Sequence, residues 1–437
     1  MQRAASPTPV RRKSFTKRPR LAFLASVTLL VSLSPFSSSA LAGPAPDQPI
    51  FDSQSSDNID PALMAEMRRQ DVLQPALKII TEEAAQATSP GYAGLAFEGD
   101  GLTVYYKGPI PSGMQNALTE ARTHGEVTVQ PASFSRMELQ AAAVRVEDSL
   151  IGRSDIQAIE VKHDGSGLGV EKMPADRVDV ARANATRNGR PFVEVDATLN
   201  GADFGVPVEV AVASSPFDLL ACASTCNRLD DTSAWNGGTR TLNPDADVAN
   251  PYYKCTTGFG VTKGSTSYVL TADHCATAPD LTYDNKLELM GGVYAGNWDK
   301  DLLLINARGY YKIFDGSPTT STTKNVMGWG YHASGEYLCH SGASTGTRCG
   351  LRTDGGDYAL YGCDSDGDCF NRHGLIKTTQ VDGLTAAAAG DSGGPVFSLM
   401  TGGVRAKGIL IGGGNSTMYF QDWADVINIF GAYPRTP

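Results

Sequence analysis

The hexapeptide Gly390-Asp391-Ser392-Gly393-Gly394-Pro395 carries the strongest chemical signal in the chain. Glycines on both sides of a serine let the backbone bend so that the Ser392 hydroxyl is exposed. The N–H groups of Gly390 and Ser392 can then point at an oxygen on which negative charge develops. Serine is a weak nucleophile at neutral pH and needs a neighbouring base, usually histidine, itself oriented by a carboxylate. Of six histidines, His274 has the setting for this, because Ser267-Tyr268-Val269-Leu270 reads as a strand ending in Thr271-Ala272-Asp273-His274-Cys275. That pins the imidazole at a strand end beside a cysteine. His124, His163, His332, His340 and His373 lack such a setting and are expected on the surface or in loops. For the carboxylate, Asp301 directly precedes the apolar run Leu302-Leu303-Leu304-Ile305 and can be buried, whereas Asp299 sits beside Lys300.

The elements that must position these groups lie in the second part of a chain of 437 residues, longer than one typical domain. With 41% hydrophobic and 19% charged residues the composition fits packed globular structure, and the formal net charge of -10 argues against a nucleic-acid partner. Basic residues cluster only at the start, from Arg3 to Arg20, before an apolar run from Leu21 to about Leu33 and the small residues Ser39-Ala40-Leu41-Ala42. This reads as a signal peptide over 1–42, too short in its apolar run for a comfortable membrane span, and implies export by a route that Arg11-Arg12 leaves open. Residues 43–221 hold no cysteine, and their pattern predicts small α+β units. Helix is expected from about 60 to 86 with a break at Gln74-Pro75, a hairpin over 92–106, helices over 114–121 and 136–150, and a second hairpin over 156–171. All eight cysteines (Cys222, Cys226, Cys255, Cys275, Cys339, Cys349, Cys363 and Cys369) fall in 222–437, where short β-rich runs and frequent Gly, Ser and Thr predict a β-barrel architecture closed by a helix near 422–430.

The order His, Asp, Ser is that of chymotrypsin rather than of subtilisin or the α/β-hydrolases. The second half resembles the chymotrypsin family, and most of all its bacterial streptogrisin and α-lytic branch. The resemblance rests on Cys255-Thr256-Thr257-Gly258-Phe259-Gly260-Val261 with Thr271-Ala272-Asp273-His274-Cys275, on Asp301-Leu302-Leu303-Leu304, on the segment from Cys339 to Gly350, and on the Ser392 hexapeptide. It implies a mostly β fold, a chymotrypsin-like double β-barrel with a C-terminal helix over 222–437, preceded by an α+β pro-region over 43–221 that acts as intramolecular chaperone and inhibitor. It implies disulfides Cys255–Cys275 and Cys339–Cys349. The other four cysteines allow three connectivities, with the local pairs Cys222–Cys226 and Cys363–Cys369 expected. Trp235-Asn236-Gly237-Gly238 resembles the family's mature start.

The chain departs from the family at three places. Asp273 stands where Gly or Ala is usual, putting an extra acid beside the base. Ala387-Ala388-Ala389 replace an expected cysteine. Ala343 replaces an arginine that pairs with the Asp before the serine, so Asp391 lacks its expected cationic partner. The resemblance places Ala386 at the base of the primary pocket and Gly412 and Gly413 on its wall, where they leave the mouth open and Gly413 can bond substrate backbone. A neutral base with Leu410 in place of the histidine of glutamate-specific relatives implies an apolar or aromatic residue before the scissile bond. The acidic loop Asp364-Ser365-Asp366-Gly367-Asp368 is expected to be solvated rather than a calcium site, since calcium needs six or more oxygens. The expectation is a secreted, monomeric serine endopeptidase acting on proteins or peptides through an acyl-enzyme. Ser392 would be the nucleophile, His274 the base, Asp301 its orienter, Gly390 and Ser392 the oxyanion donors, with no cofactor, metal or membrane partner. The alternative is a catalytically silent binding module on the same fold.

Overall fold

In the computed structural model the described residues are 55–57, 59–150, 155–175, 178, 179, 182, 201–214, 218, 219, 230–243, 253–363 and 369–437. The signal segment, Cys222, Cys226 and the acidic loop over 364–368 lie outside them.

The first half begins with α1 (Pro61–Val72) and α2 (Gln74–Ala84), followed by the hairpin β1 (Tyr92–Glu98) and β2 (Gly101–Tyr106). Next come α3 (Ser112–Ala121), β3 (Val127–Pro131), α4 (Arg136–Leu150), β4 (Ile156–Val161), β5 (Leu168–Lys172), the single turn α5 (Gly201–Phe204), β6 (Val208–Val212) and β7 (Asp218–Leu219). The expected break falls between α1 and α2, with Pro75 in the first turn of α2, where its missing N–H costs nothing. α4 starts with a reciprocal cap. The Ser135 N–H donates to Glu138 Oε2 at 2.9 Å and the Glu138 N–H to Ser135 Oγ at 3.3 Å.

The second half is built of strands: β8 (Trp235–Gly237), β9 (Arg240–Asn243), β10 (Tyr253–Thr256), β11 (Gly260–Lys263), β12 (Thr266–Thr271), β13 (Leu281–Asp284), β14 (Leu289–Asn297), β15 (Leu302–Ile305) and β16 (Gly309–Phe314). They continue as β17 (Thr323–Trp329), β18 (Tyr337–Gly342), β19 (Gly346–Thr353), β20 (Asp357–Cys363), β21 (Cys369–Gln380), β22 (Pro395–Met400), β23 (Gly403–Gly414) and β24 (Thr417–Asp422), then α6 (Trp423–Phe430) and β25 (Tyr433–Pro434). One sheet runs β10-β9-β13-β14-β15-β12-β11-β25. β15 lies between β12 and β14, which is why all four of its residues are apolar and all are buried. In the other sheet β19 pairs β18, β18 pairs β22, β22 pairs β23, β23 pairs β24, β24 pairs β21 and β21 returns to β19. These six strands close a ring, which leaves no free edge among them. The protein is thus mostly β, with an antiparallel sheet, a closed antiparallel ring within a larger mixed sheet, and one helix near the C-terminus. α6 is capped by Asp422 at its start and by left-handed Gly431 at its end, and it buries Trp423, Val426 and Phe430.

The two halves share one sheet. β4 pairs antiparallel with β20, so β6, β5 and β4 extend the ring outward through the β20–β21 hairpin. Ile59, Met67 and Ala158 of the first half belong to the same apolar core as Phe259, Leu304 and Phe397 of the second. Charges bridge the join as well. Arg136 meets Asp357 at 3.0 Å, and the fully buried Lys407 meets Glu336 at 2.7 Å and Gln74 Oε1 at 2.8 Å.

Candidate active site

His274 and Asp301 come from the first sheet and Ser392 from the ring. His274 sits in a single helical turn directly after β12, and Asp301 directly precedes β15, the strand next to β12. The ladder therefore brings the two side chains together. Asp301 Oδ2 lies 2.7 Å from His274 Nδ1, and Oδ1 accepts the His274 backbone N–H at 2.8 Å. Burial opposes ionisation of Asp301, but the His274 imidazole, its hydrogen bonds and the Arg372 guanidinium outweigh it and hold the carboxyl below the usual range. Asp299 is exposed and bonds His373 Nδ1 instead. Asp273 lies beside this pair with its carboxyl pushed up to about 6, by burial first and then by the charge of Asp301.

The disulfide Cys255–Cys275 ties β10 to the turn that carries His274, and Cys339–Cys349 joins β18 to β19. The backbones of Cys363 and Cys369 face each other across β20 and β21.

Ser392 heads β22 in the expected glycine turn. Gly390 has φ 95° and Gly393 φ 82°, both left-handed. A Cβ on Gly393 would lie 2.5 Å from the Thr256 carbonyl oxygen and 3.0 Å from the Ala272 amide nitrogen, so no side chain fits between the serine and the first sheet. Ser392 is fully buried rather than exposed. Its Oγ donates to the Ile411 carbonyl at 3.1 Å, and the buried Nε2 of His274 makes no hydrogen bond. A further segment lies along β23 beyond Ile411. β7, a segment of the first half, pairs antiparallel there, with Leu219 opposite Gly412 and Asp218 opposite Gly413. The two glycines expected to leave a mouth open are therefore covered by the chain's own backbone.

Asp391 is held by hydrogen bonds in place of an ion pair with the residue at 343. Its Oδ1 accepts the N–H groups of Ser344 at 2.7 Å and Thr345 at 3.1 Å, and its Oδ2 accepts the Thr345 hydroxyl at 2.8 Å and the Ala388 N–H at 2.9 Å. A buried cation is nevertheless close. Arg240 on β9 donates to the Ala343 carbonyl at 2.6 Å, and burial lowers its pKa to about 10 against the opposing charge of Asp391. An arginine in a short polar strand gives no sequence sign of being buried, and this partner was missed.

Ala386 is buried and its carbonyl accepts a hydrogen bond at 2.6 Å from Nε2 of His340. His340 is accordingly neither a surface nor a loop residue but a buried member of β18 beneath the Ala386 segment. His373 is a half-buried strand residue of β21 that meets Asp299 and Glu147. His124 is exposed in a turn, and His163 and His332 are half-buried outside strands. A separate cleft of about 630 Å³ opens at the join of the halves, lined by Arg136, His163, Lys300, His332, Asp357 and Asp422 among others, and none of His274, Asp301 and Ser392 borders it.

A histidine and an aspartate thus meet in one antiparallel sheet, a serine in a glycine turn comes from the closed ring, and this chain is similar to streptogrisins. It is 29% identical over 276 residues to streptogrisin-D of Streptomyces griseus, covering 59% of each chain. It is 24% identical over 409 residues to streptogrisin-C of the same organism, covering 86% of this chain and 75% of that one. The chain thus spans about three-fifths of the length of streptogrisin-D. Among solved structures it is similar to Thermobifida fusca Protease A, with 24% identity over 46% of this chain and 98% of that one and a TM-score of 0.35. It is also similar to an alpha-lytic protease homolog, with 22% identity over the same shares and a TM-score of 0.35. No family model matches the chain. No helix among the described residues is long and apolar enough to cross a membrane.

Proposed function

We propose that the chain is the precursor of a secreted serine endopeptidase in which residues 222–437 hydrolyse peptide bonds and residues 43–221 serve as pro-region. The observation that carries this reading is the buried His274–Asp301 contact of 2.7 Å, made across adjacent strands, with Sγ of the next residue, Cys275, 3.8 Å from the Ser392 carbonyl oxygen. In the reaction Ser392 Oγ turns from the Ile411 carbonyl toward His274 Nε2, gives up its proton there and attacks the substrate carbonyl. Asp301 keeps the imidazole in the tautomer whose Nε2 accepts that proton, and His274 returns the proton to the leaving amine. Gly390 and Ser392 amides meet the oxyanion, and water then releases the acyl group.

The covered cleft supports the precursor reading. β7 lies antiparallel on Gly412 and Gly413, the backbone edge along which an extended peptide substrate would add as a strand. Ala386 and the buried Leu410 leave no charge for a basic residue, which supports an apolar or aromatic preference before the scissile bond.

Expression from Gly43 under oxidising conditions, with a fluorophosphonate probe and mass spectrometry of fragment N-termini, tests this against Ser392→Ala. Labelling that is lost in Ser392→Ala, with a new N-terminus between about 215 and 240 in the active chain alone, is the expected result. Absence of labelling even after limited proteolysis has removed the first half would put the silent binding module in its place.

A further inference from the structure

Asp301 takes two hydrogen bonds from His274, one on each oxygen. The remaining approach to Oδ2 is occupied by a cation that the sequence gives no reason to place there. Arg372 of β21 sets its Nε 3.5 Å from Asp301 Oδ2, with both side chains fully buried. Its guanidinium carbon lies 3.6 Å from the centre of the Trp298 ring, and its Nη1 donates to the Asn371 carbonyl at 3.1 Å. Trp298 stands three residues before Asp301, in the turn that delivers that residue to β15. We propose that Arg372, pinned between the Trp298 ring and the Asp301 carboxylate, is the positioning residue that keeps Asp301 aimed at Nδ1 of His274. The inference rests on the hydrolase reading above for its functional meaning.

Charge balance gives the arrangement its reason. Two carboxylates, Asp301 and Asp273, flank one imidazole, and Arg372 is the guanidinium whose charge favours the ionised form of both. A planar guanidinium can stack on an indole face while holding its charge at ion-pair distance from a carboxylate, a geometry a lysine ammonium cannot reproduce. Removing the cation leaves the buried carboxylate pair uncompensated. Loss of the nearby positive charge then favours a proton on His274, and on Asp273 beside it.

The test uses the full precursor, with the titration of His274 followed by NMR on carbon-13-labelled histidine and assigned by loss of the resonance in His274→Gln. Arg372→Met is expected to raise the His274 pKa by about one unit or more. In the processed enzyme the acid limb of the fluorophosphonate labelling rate should move by the same amount. Arg372→Lys should recover part of the shift, and Trp298→Leu, which removes only the stacking partner, should produce a smaller shift in the same direction. A folded Arg372→Met protein whose His274 titrates within about 0.3 unit of the wild type overturns the proposal. If Arg372→Met does not fold, the Trp298→Leu titration decides alone, a shift supporting the proposal and an unmoved curve refuting it. The histidine titration needs no turnover, so an unlabelled wild type would refute the hydrolase reading while leaving this comparison intact.

Discussion

Substituting Asp354 by Asn should make the protein more stable in alkali and leave it unchanged in acid. Asp354 follows β19 and is half-buried, with its Oδ1 shielded from solvent. Its pKa is raised to about 7, by burial first, with Glu160 and Glu171 adding to the rise and Lys377 opposing it. Glu160 and Glu171 belong to β4 and β5, so the acidic cluster straddles the join between the halves. A carboxyl that binds its proton more tightly folded than unfolded costs nothing below its unfolded pKa, and stability is lost as pH climbs toward the folded value. From 3.8 to about 7 that loss amounts to about 4 kcal/mol at roughly 1.4 kcal/mol per unit. Asn is isosteric and keeps an oxygen for the Tyr358 hydroxyl, which donates to Asp354 Oδ2 at 3.3 Å. Urea unfolding on a Ser392→Ala background at pH 4, 6 and 8 measures the effect without self-cleavage. The gap between Asp354→Asn and its parent should open from near zero at pH 4 to several kcal/mol at pH 8. A gap independent of pH would refute the reasoning, because it would mean that the residue is not neutralised by its surroundings.

Three further outcomes follow from the geometry. Asp301→Asn should fold yet label with the fluorophosphonate about 10⁴-fold more slowly, because an amide cannot hold the imidazole in the required tautomer; the labelling rate at pH 8 measures it. Opening Cys339–Cys349 by paired substitution with alanine should cost roughly 2–3 kcal/mol in the loop-entropy account. Opening Cys255–Cys275 should cost slightly more, because its sequence separation is 20 against 10, and should also slow labelling through His274; urea midpoints and labelling rates separate the two effects.

Local rules made the elements readable. Apolar periodicity outlined α1 to α4, the turn residues between β1 and β2 marked their hairpin, and α4 matched its expected bounds because a Ser-x-x-Glu cap opens it. His274 and Asp301 could be picked because each sits at the end of an apolar strand. Residues whose role depends on distant burial stayed hidden. Arg240, His340 and Arg372 are polar residues in strands, a pattern that ordinarily marks a solvated face; only the closing of the sheets puts them inside. The pairing of β4 with β20 and of β7 with β23 joins positions about 200 residues apart with no local sequence mark, since backbone ladders use no particular side chain. The cation expected near Asp391 likewise came from β9, far from the position where the resemblance looked for it.

The ladder between β4 and β20 has a consequence for the two pieces that processing would create. It pairs Asp357 with Val161, Tyr358 with Glu160, Ala359 with Ile159 and Leu360 with Ala158. Separation of the halves would strip β20 of its neighbour and turn an interior strand into a rim with bare N–H and C=O groups, a template onto which another molecule could add. Asp357 stands at the start of that rim and would lose Arg136 and Gln140, which it bonds at 3.0 Å each. Its carboxylate, freed to water, would then repel the matching rim of a second molecule, so under the proposed processing one residue would be a clasp before cleavage and a guard against clumping afterwards.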